Sequence, residues 1–359
     1  MHTRDLIDLA ELKPSELQDI LRFTGFIAQN PQYYRGNAEH KIMATLFYEP
    51  STRTQMSFQA AMLRLGGRLI GFDDPDNSSV AKGESLKDTV RVISNYADVL
   101  VIRSPLEGAA LAASLYSRCP VINAGDGGHL HPTQTLTDLA TLDNAVGRLD
   151  HLTVGLCGDN LNGRTVHSLV KTLSRYAGNH FVMISTPELA LPGYLLDEIT
   201  RGGSTYARAE TLEEAIPALD VLYMTRIQKE RFASVDEYER LKDVFVLDRA
   251  KLKHAKSALR ILHPLPRVNE IAVDVDDDPR ATYFAQTEYG LYARMALLQR
   301  VLEHTDRAVP TAPADTHKAR CTNERCVTSK EHYLPRLFKE TDAGLVCRYC
   351  EQLSMNNGQ

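Results

Sequence analysis

Apolar residues along the chain alternate between helix-spaced sets and short continuous runs. A first helix is predicted by apolar positions recurring every three or four residues after Pro14, namely Leu17, Ile20, Leu21, Thr24 and Ile27. Strand-length apolar runs follow at 42–47, 69–72, 99–102, 153–157, 181–185, 221–224 and 244–247, separated by helix-periodic segments. This alternation predicts an α/β fold of βα units around parallel sheets.

The number of βα units exceeds what one core accommodates comfortably, so we expect two domains. The polar, helix-like segment 135–150 is the natural bridge, and we place a first domain at 1–134 and a second at 135–289. A further helix is expected at 290–305. Prolines then predict an extended linker over 306–320, followed by a small cysteine-rich module at 321–353.

The composition and net charge limit the kinds of molecule that the protein is expected to bind. The chain has 359 residues, 43% of them hydrophobic and 24% charged, which is typical of a globular protein. A net charge of -5 offers no general attraction for nucleic acid or acidic membranes, although a local basic pocket for a small anion remains open. We find neither a secretory signal nor an apolar run long enough to span a membrane, and therefore expect a soluble, cytoplasmic protein.

Four of the six cysteines lie in two pairs near the C-terminus, Cys321 with Cys326 and Cys347 with Cys350. In a reducing cytosol such pairs indicate a metal before a disulfide. Two closely spaced pairs suit a closed tetrahedral structural zinc site, with iron as the alternative metal and a redox pair or unligated thiols as the alternative chemistry. The metal would supply most of the folding energy of so small a module.

A phosphate-binding turn is predicted at Ser51-Thr52-Arg53-Thr54, where the run 42–47 gives way to a helix-periodic segment. The N–H groups of a helix start, three hydroxyls and a guanidinium together favour a phosphate dianion. A Ser/Thr-rich helix start by itself is more typical of a simple cap. The adjacent arginine and the companion motifs below favour the anion site.

Two further motifs carry histidines. His131-Pro132-Thr133-Gln134 follows the glycine-rich run 123–128, and His263-Pro264-Leu265-Pro266 has two prolines that fix the backbone and leave carbonyls able to accept from an amine. Either motif alone would indicate a structural histidine or a rigid loop.

Together and in this order, the three motifs resemble the aspartate/ornithine carbamoyltransferase family over residues 1–305. The resemblance implies two doubly wound parallel-sheet domains, the first binding carbamoyl phosphate and the second an amino acid, with the helix 290–305 packing back on the first. It implies direct attack of an amine on the carbamoyl carbon, with no covalent enzyme intermediate and no catalytic cofactor.

The resemblance also implies roles for individual residues. Carbamoyl phosphate would be held by Ser51, Thr52, Arg53, Thr54, Ser78, Lys82, Arg103, His131, Gln134, Leu265 and Pro266. The catalytic subset would be Arg53, Thr54, Lys82, Arg103 and His131. His131 is better assigned as a hydrogen-bond donor than as a general base, because the departing phosphate can take the proton of the amine.

The second substrate is predicted from Arg164, Arg226 and Gln228, which resemble residues that hold the two carboxylates of L-aspartate in this family. Lys82 would also contact aspartate. Pro264 stands where ornithine enzymes usually have cysteine. The expected reaction is the committed step of de novo pyrimidine biosynthesis, with ornithine or another amino acid as the alternative acceptor.

Ser78 and Lys82 resemble a mobile loop that the family donates to a neighbouring subunit, with Ser79 as the alternative serine. A homotrimer with shared sites is therefore implied, with a hexamer of two trimers as the alternative.

The cysteine module resembles the metal domain of the family's regulatory chain, and we expect it to dock on a catalytic domain of the same trimer or a facing one. Only the short linker 306–320 separates the expected helix 290–305 from Cys321, which leaves no room there for a nucleotide-binding domain. The competing hypothesis is a nucleic-acid-binding zinc ribbon on an enzyme or on an inactive scaffold. Acidic residues offset the basic ones in the module, which disfavours that hypothesis.

Overall fold

A computed structural model describes residues 4–227, 244–304, 308–341 and 344–354. The chain divides into two compact units, one made of Met1–Thr133 with Leu291–Gln359 and the other of Gln134–Gly290. Among the described residues, no helix is both long and apolar enough to cross a membrane.

The first unit contains a four-stranded parallel sheet in the order β2-β1-β3-β4. Its strands are β1 (Ile42–Phe47), β2 (Arg68–Phe72), β3 (Val99–Ser104) and β4 (Val121–Asp126). Its helices are α1 (Pro14–Gln29), α2 (Thr52–Arg64), α3 (Leu86–Ile93) and α4 (Ala109–Ser114), and α5 (Pro132–Val146) begins in it. Strands β3 and β4 are buried throughout, as expected for central parallel strands covered by helices.

The second unit contains a five-stranded parallel sheet in the order β7-β6-β5-β8-β9. Its strands are β5 (Thr153–Cys157), β6 (His180–Ile184), β7 (Thr205–Ala209), β8 (Val221–Met224) and β9 (Arg260–Leu262). Its helices are α6 (Arg164–Leu173), α7 (Gly193–Arg201), α8 (Leu212–Ala215) and the first part of α9 (Tyr283–Leu302). The prediction of an α/β fold with parallel sheets is confirmed.

The C-terminal part of α9 belongs to the first unit, where Arg300 Nη2 donates to Glu16 Oε1 of α1 at 2.7 Å. The cysteine module belongs to this unit too. It forms a three-stranded antiparallel sheet of β10 (Phe338–Thr341), β11 (Gly344–Cys347) and β12 (Leu353–Ser354). Its buried residues Val327 and Tyr349 share one apolar cluster with Leu100 of β3, so the module packs on the first unit of its own chain.

One predicted strand is wrong, and neither three strands of the parallel sheets nor the three strands of the cysteine module were predicted. Residues 244–247 form no strand: Leu247 is buried but makes a single bridge to Ile271. The strands β4, β7 and β9 were absent from the prediction, and the helix expected from residue 290 begins at Tyr283. Within the predicted linker, Thr316 donates its N–H to the Arg336 carbonyl at 2.9 Å, so the linker joins the module earlier than its prolines indicate.

Candidate active site and metal centre

Both parallel sheets have a point where the strand order changes direction. In the first unit β1 lies next to β3, with β2 and β4 on opposite sides, and in the second unit β5 lies next to β8. Loops that leave neighbouring strands in opposite directions open a crevice at the carboxyl ends of the strands, where α/β proteins bind ligands. Among the predicted site residues, Ser51 to Thr54 follow β1, Arg103 lies near the end of β3, and Arg164 and Arg226 follow β5 and β8.

The turn after β1 opens the N-terminus of α2. Thr52 begins the helix, and Ser51 precedes it with no side-chain hydrogen bond to the described helix N–H groups. Those N–H groups are therefore not capped by the serine side chain, and they form the positive end of the helix dipole. Burial of Thr54, Phe58 and Met62 fixes the orientation of the helix.

Arg103 is the buried cation of this site, with its side chain only 7% exposed at the end of β3. Its Nη2 donates to Glu49 Oε1 at 2.9 Å, and its Nη1 donates to the Ala124 carbonyl at 3.2 Å. Nη1 also lies 3.5 Å from Nε2 of His131. Arg103 Nε is buried without a hydrogen-bond partner among the described residues, an unusual state for a guanidinium.

A glycine allows Arg103 and His131 to approach one another. Gly125 has φ +117, and a Cβ there would lie 2.7 Å from Arg103 Nη1 and 3.4 Å from Cδ2 of His131. Any other residue would be strained and would displace the arginine. The structure thus brings together Arg103 and His131, two of the residues proposed from the sequence to bind carbamoyl phosphate.

Burial, and secondly the positive charge of Arg103, lower the pKa of Arg53. The two guanidinium groups therefore repel one another, and an anion between them would relieve that repulsion. Glu49 was not predicted as a site residue, although its position two residues before Ser51 places it in the same turn.

The serine of the predicted donated loop forms hydrogen bonds within its own turn. Ser78 Oγ donates to the Pro75 carbonyl at 2.7 Å and accepts from Val80 N at 3.2 Å, so it caps its own turn. Lys82 is exposed and forms no ion pair within the described part of the chain.

In the second unit, the loops after β5 and β8 touch. Gly158 has φ +109, and a Cβ there would lie 2.3 Å from the Thr225 carbonyl oxygen. Arg164 is the first residue of α6, and Arg226 follows Thr225 after β8. Arg164 and Arg226 therefore follow the two strands that meet at this sheet's switch point. Gln228 lies outside the described residues.

A buried network shapes the loop that carries Leu265 and Pro266. The Leu265 N–H donates to His263 Nδ1 at 2.7 Å, so Nδ1 must be unprotonated, and Nε2 is then the nitrogen that donates to Glu270 Oε1 at 2.7 Å. The second Glu270 oxygen accepts the N–H groups of Val268 and Asn269. The left-handed backbone of Leu265, with φ +55, is held by these contacts.

The same network reaches Gln134. Asp138 is fully buried and accepts hydrogen bonds from Gln134 Nε2 at 2.8 Å, Gln286 Nε2 at 2.6 Å and Tyr223 Oη at 2.9 Å. Gln286 Oε1 in turn accepts from the His263 N–H at 3.0 Å. Asp138 and Gln286 were not predicted, because they are 148 positions apart and only the fold joins them.

The four predicted metal ligands, Cys321, Cys326, Cys347 and Cys350, converge with all their sulfurs within 4.8 Å of one another. The Cys321–Cys350 and Cys326–Cys347 sulfur distances are 3.6 Å and 3.9 Å. A tetrahedral ion bound to sulfur at about 2.3 Å requires sulfurs about 3.8 Å apart. The arrangement fits a closed four-thiolate metal site.

Family models match almost the whole chain. Residues 4–144 match the carbamoyl-phosphate-binding domain of aspartate/ornithine carbamoyltransferase, and residues 150–301 match the Asp/Orn-binding domain. Residues 318–357 match the metal-binding domain of the aspartate carbamoyltransferase regulatory chain.

Individual relatives agree. The aspartate carbamoyltransferase catalytic subunit of Lachnoclostridium phytofermentans is 56% identical over 83% of this chain and 98% of its own length, and that of Clostridium perfringens is 54% identical over 84% and 99%. The M. jannaschii aspartate transcarbamoylase catalytic subunit superimposes with a TM-score of 0.80 at 45% identity, covering 85% of this chain and all of that one. Aspartate transcarbamoylase from Trypanosoma cruzi, in complex with carbamoyl phosphate and aspartate, gives a TM-score of 0.74 at 35% identity, covering 82% and 95%. The chain therefore belongs to the aspartate carbamoyltransferase family of transferases, joined to a metal-binding domain of the regulatory-chain type.

Proposed function

We propose that this chain transfers the carbamoyl group of carbamoyl phosphate to the amino group of L-aspartate. The observation that carries the proposal is the pairing of Arg103 with His131 beside the open N-terminus of α2. This combination offers cationic and polar donors to a phosphate and to the carbamoyl oxygen attached to it.

The phosphate end would be held by the α2 N–H groups with Ser51, Thr52, Arg53, Thr54 and Arg103. Carbamoyl phosphate is a dianion, and two guanidiniums in a partly buried site neutralise it. Ser78 and Lys82 would complete the site from a neighbouring subunit. Lys82 is exposed and is therefore accessible to such a neighbour.

The carbamoyl group would be oriented by His131 at its oxygen, and by Gln134 with the carbonyls of Leu265 and Pro266 at its nitrogen. The Asp138 and Glu270 networks hold Gln134 and the 263–266 loop in place. Arg164, Arg226 and Gln228 would bind the carboxylates of aspartate.

The chemical step requires no protein nucleophile. The neutral amine attacks the carbamoyl carbon and forms a C–N bond, negative charge develops on the carbamoyl oxygen, and the C–O bond to phosphate breaks. The proton lost by the amine passes to the departing phosphate. The products are N-carbamoyl-L-aspartate and inorganic phosphate.

The test is turnover of carbamoyl phosphate with L-aspartate and L-ornithine offered in parallel, together with an Arg53→Ala variant. We expect product only with aspartate and a fall in kcat of about 100- to 1000-fold in the variant, the usual cost of one lost oxyanion donor. Arg64→Ala, at the exposed end of the same helix, is the control. Turnover with ornithine, or normal turnover by Arg53→Ala, would contradict the proposal.

We further propose that the four thiolates hold one structural Zn²⁺, because a closed four-sulfur site suits that ion and has no open position for catalysis. Metal analysis of the purified chain should give one zinc per chain, and iron would contradict this assignment. We propose a cytoplasmic location, because cysteines stay reduced and able to bind metal in a reducing compartment. We also propose a homotrimer, which the family resemblance implies.

A further inference from the structure

The cysteine module docks on the two loops that follow β3 and β4. Glu107, only 4% exposed, donates its N–H to the Arg325 carbonyl at 2.9 Å and accepts at its own carbonyl from Val327 N at 2.8 Å. Its side chain accepts from Asn323 Nδ2 at 2.7 Å. Arg103 lies four residues before Glu107, so the module contacts the loop that directly follows the proposed anion-binding residue.

His129 forms a further contact between the module and the rest of the first unit. Its Nδ1 lies 3.1 Å from Asp126 Oδ2, and its Nε2 lies 3.4 Å from Glu351 Oε2 of the module, an ion pair without hydrogen-bond geometry. The His129 side chain is 10% exposed. Burial lowers its pKa, but the charge and hydrogen bond of Asp126, together with the nearby Glu351 carboxylate, outweigh burial and raise the pKa to about 10. His129 is therefore a cation held between two carboxylates.

Asp126 connects His129 to both loops. Its Oδ1 accepts from the Leu130 N–H at 3.0 Å, and its Oδ2 accepts from the Gly108 N–H at 2.8 Å. Leu130 immediately precedes His131. The Asp126–His129 pair thus stabilises the short turn that orients the His131 ring.

Glu351 is fixed in turn by the metal-binding turn. It follows Cys350 directly, its N–H donates to the Cys347 carbonyl at 2.8 Å, and its backbone is left-handed with φ +57. A non-glycine residue keeps that conformation only where its surroundings impose it. The carboxylate is consequently presented by the fold of the thiolate cluster.

We propose that His129 is a positioning residue of the transfer reaction, braced by Glu351 so that the metal module orders the turn carrying His131. The inference rests on the proposed function, because it assumes that His131 acts on carbamoyl phosphate. The module is then a working part of each catalytic unit and not only an attachment.

The experiment uses the full chain and a Glu351→Gln variant, which removes the charge and retains the shape. We expect kcat to fall about 5- to 30-fold, since small misplacements of a reacting group cost up to about 100-fold. KM for aspartate should stay unchanged. Glu340→Gln, an exposed carboxylate of the same module, is the matched control and should behave as the unmodified chain.

A double-mutant cycle separates positioning from general stabilisation. In a His131→Ala background, Glu351→Gln should change kcat less than 2-fold, because the group that it positions is gone. An equal loss in both backgrounds, or no loss in either, overturns the proposal. If Glu351→Gln loses metal, His129→Gln replaces it in the same cycle, since that change leaves the metal turn intact. The Arg53→Ala variant, run in parallel, reports on the proposed function independently.

Discussion

Glu49 and a phosphate group would compete for Arg103. The carboxylate accepts from Nη2 of the guanidinium at 2.9 Å, and a bound dianion would need the same donors. Binding of the anion therefore requires Arg103 to exchange the Glu49 carboxylate for the phosphate.

Glu49→Gln should accordingly strengthen the binding of inorganic phosphate by about 3- to 10-fold, because a neutral amide competes less well for a guanidinium than a carboxylate does. Titration calorimetry with phosphate measures this directly. The exposed Glu39 provides the control variant, Glu39→Gln. Weaker phosphate binding by Glu49→Gln would mean that the carboxylate organises Arg103 and does not compete with the anion.

Glu270 supports a different prediction. In Glu270→Gln the amide can accept from His263, but its nitrogen cannot accept the N–H groups of Val268 and Asn269. Leaving buried donors unsatisfied costs about 1 to 3 kcal/mol, so we expect that loss in urea unfolding together with a lower kcat. Asp274→Asn, an exposed carboxylate nearby, should change neither quantity. Unchanged stability would mean that water replaces the lost contacts.

The sequence pointed to candidate site residues where they carry a distinctive local signature. Ser51 to Thr54 combine hydroxyls with a cation at a strand-to-helix turn, and the paired cysteines have metal-ligand spacing. Asp138, Glu270 and Gln286 carry no such signature, since an acid or an amide in a helix or loop is ordinarily a solvated side chain. Their roles arise from burial beside partners distant in sequence.

At the scale of elements, burial explains some of the strands that the apolar pattern indicated or missed. β1 and β5 are almost entirely buried and read as continuous apolar runs, whereas β7 is an edge strand with four of its five residues exposed. β9 has only three residues. The strand predicted at 244–247 was wrong because the buried apolar side chains of Phe245 and Leu247 pack without a ladder of backbone hydrogen bonds.

Element packing also bears on the nucleic-acid hypothesis. Of the three aromatic residues that could stack on bases, Phe338 and Tyr349 are buried at 8% and 1% exposure. Tyr333 is 39% exposed, but its ring packs edge-on against Tyr116. The aromatic rings of the module pack against other residues of the same chain. This favours a docking domain over a zinc ribbon that stacks on nucleic-acid bases.

The docking of the module on α4 makes Gly108 a sensitive position. Its φ is +82, and a Cβ there would lie 2.5 Å from the Tyr349 side chain. Gly108→Ala should therefore lower the melting temperature by several degrees and expose dye-binding apolar surface. Gly36→Ala, with φ +98 and open space around it, carries the backbone strain alone and should cost less. Equal losses in the two variants would mean that strain, and not the module, accounts for the effect.

At the scale of the molecule, docking within the chain predicts that the module does not join trimers. Light scattering should give about 120 kDa, three chains of 40.1 kDa, for the full chain, and a trimer again for a version ending at residue 304. A full chain twice that mass beside a trimeric truncation would instead mean that the module bridges two trimers.

The short covalent connection between α9 and the module determines how docking of the module responds to protein concentration. The helix ends at Leu302, and the metal-binding domain begins to match its family at residue 318. A tether of this length holds a binding partner at an effective concentration in the millimolar range. The docked state of the module is therefore insensitive to how much of the protein is present, and each catalytic unit carries its partner in a fixed ratio without any need to balance the amounts of two polypeptides.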